Sequence, residues 1–177
     1  MQAPFLVPVM DGQNTPADES FGWWRFNEAK TEYTGVDESV ARIRAEIAAH
    51  GPFDGLLGFS QGATMTAVMA HLTEGETPAP FRFVMCFCGF QPRDDVLAPA
   101  LAARAADGPK IAIPSMHVLG LKDTLIVPER ARALAAAFAD PIVIESPDSG
   151  HFIPTGGDFK AKYRAFLDEQ AAAASSL

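Results

Sequence analysis

A serine in a glycine-rich turn has the strongest chemical signature in this chain. Ser60 is the centre of a Gly-x-Ser-x-Gly sequence at 58–62, which follows the apolar run 53–57 and precedes the helix-like segment 63–72. Between a strand and a helix, this sequence is typical of a nucleophile elbow, a tight turn that exposes the serine hydroxyl. The backbone amide of Gln61 would point into the same space, where it would stabilise an oxyanion.

Four histidines are candidates for the base that a serine nucleophile requires. His50 ends a helical pattern, where interaction with the helix dipole explains it. His71 lies more than two helical turns beyond Ser60 and so points elsewhere, and His117 lies inside an apolar strand. His151 differs, because it lies in a glycine-containing loop between the last apolar run and the final helix. We therefore predict that His151 is the general base.

The acid that orients the base has several candidates. Hydrolases that carry a serine elbow on a parallel sheet place their triad in the chain order serine, acid, histidine, on loops after strands. Asp123 follows the third apolar run and satisfies this order. Asp140 lies at a helix end, Glu145 lies within a strand, and Asp148 shares the loop of His151, so each is a weaker candidate. The predicted triad is Ser60, Asp123 and His151.

The elements that must position these residues alternate along the chain. Residues 1–35 are irregular, with an extended piece at 4–8. Hydrophobic periodicity then predicts helices at 36–50, 61–73, 96–106 and 128–139. It predicts strands at 54–59, 81–88, 110–119 (interrupted at Pro114) and 142–145. A last helix carries Phe159, Tyr163, Phe166 and Leu167. This order predicts an α/β fold with a parallel sheet and helices on both faces. We expect one domain over 1–177, with a frayed tail at 171–177.

Composition narrows the classes of partner. Fourteen Lys and Arg residues against 22 Asp and Glu give a net charge of −8, which argues against nucleic acid or an anionic membrane as a partner. No apolar run has membrane-spanning length and no signal peptide begins the chain, so we expect a cytoplasmic protein. Cys86 and Cys88 lie in one apolar run, where we expect both to point to the same buried face of a strand. No metal or organic cofactor is expected.

Seven segments together resemble the FSH family of serine hydrolases, which have the α/β-hydrolase fold. The most specific are Gly-Pro-Phe-Asp-Gly at 51–55 and Gly-Phe-Ser-Gln-Gly-Ala at 58–63; the others lie at 2–5, 23–26, 88–90, 120–123 and 150–154. The resemblance implies that Ser60, Asp123 and His151 are nucleophile, acid and base. It also implies hydrolysis of carboxylic esters or of acyl thioesters, with a small-molecule substrate.

The start of the chain differs from the N-terminal sequence of this family. Members of the family begin with an apolar strand ending in His-Gly, and the loop after that strand supplies a second oxyanion amide. This chain begins Met-Gln-Ala-Pro at 1–4, so the resemblance implies an N-terminally truncated sheet. Loss of one oxyanion donor typically lowers turnover about 10²–10³-fold. Loss of the neighbouring strand would leave the apolar edge at 53–59 unpaired and open to self-association.

Three hypotheses about function follow. The chain is an active ester or thioester hydrolase, an impaired homologue that at most binds acyl ligands, or an interaction module that pairs through its exposed strand edge. For the hydrolase, we expect the aromatic residues Trp23, Trp24, Phe90 and Phe152 to contribute to the substrate pocket. Packing of an irregular segment is an equally good explanation of the two tryptophans.

Overall fold

The computed structural model describes residues 1–7, 20–106 and 108–175. Its strands are β1 (Phe5–Val7), β2 (Ser20–Gly22), β3 (Arg25–Phe26), β4 (Tyr33–Thr34), β5 (Gly55–Phe59), β6 (Phe83–Phe87), β7 (Ser115–Gly120) and β8 (Ile142–Ser146). Its helices are α1 (Val36–His50), α2 (Gln61–Leu72), α3 (Leu97–Ala105), α4 (Pro128–Ala135) and α5 (Gly157–Ala174).

The main sheet contains four strands in the order β5-β6-β7-β8, and every neighbouring pair is parallel. Helices connect successive strands, as parallel pairing requires. The two short pairs β1–β2 and β3–β4 are antiparallel and lie outside this sheet. Because all four strands of the sheet run the same way, the loops that follow them meet at one edge. This edge is where an open α/β sheet places its ligand site.

Hydrophobic side chains pack on both faces of the sheet. One cluster joins the sheet to α1–α4 and includes Trp24, Met65 and Leu134, and the other joins it to α5 and includes Phe166. Helix α2 is the most central helix, because every residue from 63 to 70 is buried, and a helix that is apolar all round belongs inside a protein. Replacement of a core residue such as Leu134 by alanine should cost about 2–5 kcal/mol of stability.

Strand β5 forms an edge of the sheet. The backbone N–H and C=O groups of the even-numbered residues face β6. The Asp54 carbonyl accepts from the Arg82 N–H, and the Ser60 N–H donates to the Phe87 carbonyl, each over 2.8 Å. The backbone groups of the alternate residues, among them Leu57, therefore face outward. The Leu57 side chain is 62% exposed. In the described part of the chain the apolar edge is unpaired, as the sequence predicted.

Three boundaries differ from the sequence prediction by more than two residues. The third strand begins at Ser115 rather than at residue 110, because Pro114 has no N–H to donate to the ladder. Ile111 forms an isolated bridge with Phe138, and residues 137 and 139 bond to Ile111 instead of continuing α4. Helix α5 continues to Ala174, so the tail that we expected to fray from residue 171 is helical to that point.

A helix that crosses a bilayer needs about 20 consecutive, predominantly apolar residues. Within residues 1–7, 20–106 and 108–175, no helix combines the length and the apolar character that crossing a membrane requires.

Candidate active site

Ser60 occupies a strained turn between β5 and α2. Its backbone has φ 55° and ψ −120°, a conformation that is costly for any residue with a side chain. A β-carbon on Gly58 would lie 2.2 Å from the Gly62 carbonyl oxygen, so the turn cannot close around a larger residue at that position. The Ser60 N–H bond to the Phe87 carbonyl connects the turn to the neighbouring strand. This is the geometry that a nucleophile elbow requires.

The three residues of the predicted triad lie together. His151 Nε2 is 2.8 Å from Ser60 Oγ, and His151 Nδ1 is 2.7 Å from Asp123 Oδ2. The side chains of His151 and Asp123 are only 8% and 2% exposed. The sequence separations are large, at 91 residues for the first pair and 28 for the second. The contacts therefore depend on the sheet, which brings three separate loops to one edge.

The second oxygen of Asp123 is held by its own loop. Oδ1 accepts hydrogen bonds from the Leu125 N–H over 2.9 Å and the Ile126 N–H over 2.8 Å. One carboxylate oxygen is thus anchored to the backbone and the other faces the imidazole. With Asp123 fixed in this way, His151 Nδ1–H has an acceptor and Nε2 is left to accept the proton of the serine.

The loop that carries His151 is packed against the end of β7. A β-carbon on Gly120 would lie 2.3 Å from the Ser149 carbonyl oxygen and 2.5 Å from the Gly150 carbonyl oxygen. The Lys122 N–H donates to the Ser149 carbonyl over 3.0 Å. Glycine at position 120 is therefore required because the two loops approach each other so closely.

Gln61 places a backbone donor beside the serine. The Ser60 carbonyl accepts from the Ala63 and Thr64 N–H groups, which leaves the Gln61 and Gly62 N–H groups at the start of α2 without an intrahelical acceptor. These donors and the positive end of the helix dipole favour an anion at this point. The Gln61 side chain is occupied elsewhere: Oε1 accepts from the Trp23 N–H over 2.5 Å and Nε2 donates to the Trp24 carbonyl over 3.0 Å.

The four aromatic residues predicted for the substrate pocket have different surroundings. Trp23 is half-buried and lines a groove of about 440 Å³ that also reaches Gly58 and Gly62 on either side of the serine. Trp24 is 1% exposed and stacks on Tyr33 with ring centroids 4.9 Å apart, so its environment is that of a core residue. Phe90 is half-buried, whereas Phe152, next to His151, is 51% exposed.

The other histidines lie away from this constellation. His50 Nδ1 lies 3.0 Å from Glu46, at the exposed end of α1. His71 Nδ1 and His117 Nε2 are buried without a hydrogen-bond partner among the described residues. Burial lowers the pKa of both imidazoles, that of His117 to about 4. His117 is thus a core residue, as expected, but its Nε2 is unsatisfied.

The alternative acids are engaged elsewhere or exposed. Glu145 accepts a hydrogen bond from Arg132 Nε over 2.6 Å, and this bond lowers the pKa of the glutamate. Asp148 bonds Lys122 over 2.7 Å, which likewise lowers its pKa. Asp140 is exposed at the end of the segment after α4. Only Asp123 among these carboxylates hydrogen-bonds His151 in the described chain.

Cys88 is a neighbour of the triad that the sequence did not identify. β6 ends at Phe87 and Cys88 has a φ of 50°, so the two cysteine side chains diverge: Cys86 Sγ bonds the Ala63 carbonyl over 3.5 Å and Cys88 Sγ bonds the Phe152 carbonyl over 3.6 Å. The expectation that both point to the same strand face was wrong. Cys88 comes directly after a strand of the sheet, and this position could have predicted that it lies at the edge where the triad residues meet.

The ligand atoms of Cys88, Asp123 and His151 lie within 4.8 Å of one another, a spacing that would suit a metal ion. Burial raises the pKa of the Cys88 thiol to about 12, whereas a metal needs the thiolate. The aspartate and histidine already bond each other. These residues therefore fit a hydrogen-bonded triad better than a resident metal.

Comparison with known proteins places the chain in a family. The family profile described as Serine hydrolase (FSH1) matches residues 2–163. Esterase OVCA2 of Danio rerio is 33% identical over 189 residues, covering 94% of this chain and 81% of that protein.

Solved structures agree on the fold. Arabidopsis thaliana SOBER1 matches with a TM-score of 0.64 at 16% identity, over 96% of this chain and 81% of that one. Zea mays acyl-protein thioesterase 2 matches with a TM-score of 0.62 at 15% identity, over 87% and 74% of the two chains. At such identities the likeness shows the α/β-hydrolase fold alone. With the family profile covering nearly its whole length, the chain belongs to the FSH family of serine hydrolases.

Proposed function

We propose that this protein hydrolyses carboxylic esters through an acyl-enzyme formed on Ser60. The observation that carries the proposal is the continuous hydrogen-bonded path from Ser60 Oγ to His151, at 2.8 Å, and from His151 to Asp123, at 2.7 Å. A serine hydroxyl is a weak nucleophile, and this arrangement activates it by providing an acceptor for its proton.

In the proposed reaction, Ser60 Oγ attacks the carbonyl carbon while its proton moves to His151 Nε2. The resulting imidazolium is stabilised by Asp123, which also holds Nδ1–H and so fixes the ring orientation. Collapse of the tetrahedral intermediate breaks the bond to the alkoxide, which leaves as an alcohol with the proton from Nε2. Water then attacks the acyl-enzyme by the same steps, releasing the acid and regenerating the serine.

The negative charge that develops on the carbonyl oxygen would be held at the start of α2. The Gln61 N–H is the donor nearest in sequence to the nucleophile, and the dipole of the helix adds to its effect. Such donors are worth most when they are held in place before the reaction begins. Here the Gln61 side chain contributes by bonding Trp23 and Trp24, which restrains the first residue of the helix.

Esters are the preferred class because the zebrafish relative at 33% identity is named an esterase. The triad chemistry applies equally to thioesters, and the maize relative by fold is named a thioesterase. Thioester hydrolysis is therefore a second reaction to assay, on the same serine.

A different function, binding of acyl ligands with little or no turnover, is favoured by one observation. The groove beside the elbow is open, and its lining includes the apolar side chains of Leu56, Leu57 and Met65 together with Trp23. An acyl chain in this groove would lie against Gly58 and Gly62, which flank the nucleophile in sequence. If the Gln61 N–H acted without a second donor, it would stabilise the oxyanion weakly. In that case the protein would bind esters but hydrolyse them slowly.

Labelling with a fluorophosphonate, read by intact mass, tests the proposal. We expect a single covalent adduct on the native chain, no adduct on Ser60→Ala, and slow labelling of His151→Ala. Hydrolysis of 4-nitrophenyl esters and of acyl thioesters by the same preparations gives the substrate class. If the folded native chain forms no adduct, the proposed acyl-enzyme is wrong. Adduct formation without turnover of either ester class would instead support the acyl-binding function.

A further inference from the structure

Arg130 of α4 is a half-buried cation held against the loop that follows β6. Its guanidinium carbon lies 4.7 Å from the centroid of the Phe90 ring, and its Nη2 donates to the Gln91 carbonyl over 2.8 Å. The backbones are joined as well, since the Gln91 N–H donates to the Arg130 carbonyl over 2.9 Å. These contacts fix the guanidinium and leave its other N–H groups without an acceptor among the described residues.

A second cation lies beside it. Arg93 is exposed on the same loop as Phe90. The backbone N–H of Arg93 donates to the Tyr33 hydroxyl over 3.2 Å. Burial lowers the pKa of Arg130 from its ordinary value, and the neighbouring charge of Arg93 lowers it further. Within residues 1–7, 20–106 and 108–175, no carboxylate forms a salt bridge with either arginine.

The absence of a carboxylate here contrasts with four other arginines of the described chain. Those that form salt bridges with a glutamate or aspartate are Arg44, Arg82, Arg104 and Arg132. Arg132 lies two residues from Arg130 on the same helix and is bonded to Glu145 over 2.6 Å. In a protein of net charge −8, the pair formed by Arg93 and Arg130 is a local positive site with no internal counter-ion in the described chain.

This pair lies on the side of the sheet that carries the triad. Phe90 and Thr64 are joined by two hydrogen bonds, from Thr64 Oγ1 to the Phe90 carbonyl over 2.9 Å and from the Phe90 N–H to Thr64 Oγ1 over 3.1 Å. Thr64 is one turn beyond the nucleophile, and its N–H donates to the Ser60 carbonyl. Phe90 thus connects Arg130 to Thr64 in the first turn of α2. Helix α4, which carries Arg130, begins five residues after Asp123 in the chain.

We propose that Arg130, assisted by Arg93, binds a carboxylate at the far end of the acyl chain of the substrate. The substrates would then be monoesters of dicarboxylic acids, with the ester carbonyl at Ser60 and the free carboxylate at the guanidinium. This inference names the substrate class of the proposed hydrolase and rests on that proposal.

The physical reason is the cost of an uncompensated cation. A half-buried guanidinium has lost part of its hydration and gains little from the Phe90 face alone. A carboxylate restores that loss through two parallel N–H···O bonds, the geometry that the planar guanidinium favours. A neutral acyl chain of the same length offers no such acceptor. The site should therefore distinguish the two by charge rather than by length.

A matched pair of esters tests the inference: 4-nitrophenyl hydrogen adipate and 4-nitrophenyl hexanoate, which share a six-carbon acyl chain. Arg130→Met keeps an unbranched side chain against Phe90 and removes the charge. We expect it to lower the adipate-to-hexanoate ratio of kcat/KM about tenfold, mainly through KM. Arg130→Lys should restore part of the ratio. Raised salt should lower the ratio in the native protein and much less in Arg130→Met.

Arg132→Met is the control, because it removes a cation from the same helix that is already paired with carboxylates. It should keep the native ratio. An equal loss of activity on both esters in Arg130→Met would overturn the inference, since it would mean that the arginine only positions the Gln91 loop. A native protein without preference for the anionic ester would overturn it too.

Binding separates this inference from the proposed hydrolysis. Calorimetric titration of Ser60→Ala with monoethyl adipate should show binding that Arg130→Met abolishes in the same background. If the native protein hydrolyses neither ester, the proposed reaction fails, but this titration still reports on the anion site. Absence of binding in a protein that hydrolyses hexanoate would remove the anion site and leave the esterase proposal intact.

Discussion

Replacement of His117 by leucine should reduce the loss of stability that this protein undergoes in acid. The imidazole is 3% exposed and packs edge-on against Phe138, with ring centroids 4.8 Å apart. Its Nε2 has no hydrogen-bond partner among the described residues. Burial alone lowers its pKa, from 6.5 to about 4. The folded state therefore resists protonation that the unfolded state accepts freely.

The sign and the size of this change in stability with pH follow from the difference in bound protons between the folded and the unfolded chain. Between about pH 6.5 and pH 4 the unfolded chain carries a proton on His117 that the folded chain lacks, so stability falls as the pH falls through this range. The stabilisation of the neutral form is fully present above pH 6.5. The difference between pKa values of 6.5 and about 4 corresponds to about 3–4 kcal/mol, at about 1.4 kcal/mol for each unit, of which about 3 kcal/mol is lost by about pH 4. This is a large part of the 5–15 kcal/mol that is typical of a domain.

Urea unfolding followed by circular dichroism, from neutral pH down to about pH 4, measures this effect. The free energy of unfolding of the native protein should fall about 3 kcal/mol more than that of His117→Leu over this range. Leu134→Ala removes a buried side chain that does not titrate, so it should lower the free energy of unfolding by the same amount at every pH. Parallel profiles for the native protein and His117→Leu would refute the reasoning.

Two further predictions concern the loops and the edge of the sheet. A β-carbon in Gly120→Ala would lie 2.3 Å from the Ser149 carbonyl oxygen, so the loop that carries the proposed base must shift. The kcat for esters should therefore fall about 10²-fold. Gly157→Ala is the control and should keep the native kcat, because nothing lies within 4 Å of a β-carbon at that position. Because β5 is an unpaired edge within the part of the chain that the structure describes, we expect concentration-dependent self-association in sedimentation experiments. Leu57→Lys should abolish it and Leu167→Lys, on α5, should not; a native chain that stays monomeric at every concentration would contradict this.

Much of the candidate site could be predicted from the sequence because its signals are local. The Gly-x-Ser-x-Gly sequence is contiguous, and it lies between an apolar run and a helical pattern that both form where expected. His151 and Asp123 were identified by chain order and by their loop positions, which depend only on the succession of elements. The parallel sheet followed from the same alternation of strands and helices.

The environment of each residue was harder to predict, because it depends on contacts between distant segments. Trp23 and Trp24 are adjacent in sequence, yet the first lines a groove and the second is buried against Tyr33. Cys88 approaches the triad because its backbone departs from the strand conformation at φ 50°. The end of α4 depends on Ile111, which bonds to the residues that would have continued the helix.

The order of the elements, the nucleophile turn and the residues of the proposed triad could all be predicted from the sequence, since short-range periodicity and turn chemistry encode them. The 2.8 Å distance from His151 Nε2 to Ser60 Oγ, and the position of Arg130 over Phe90 without a carboxylate partner in the described chain, could be read from the folded chain alone. Distances of this kind result from the register of the sheet and the packing of helices on it. Residues far apart in the chain set both, so no local pattern records them.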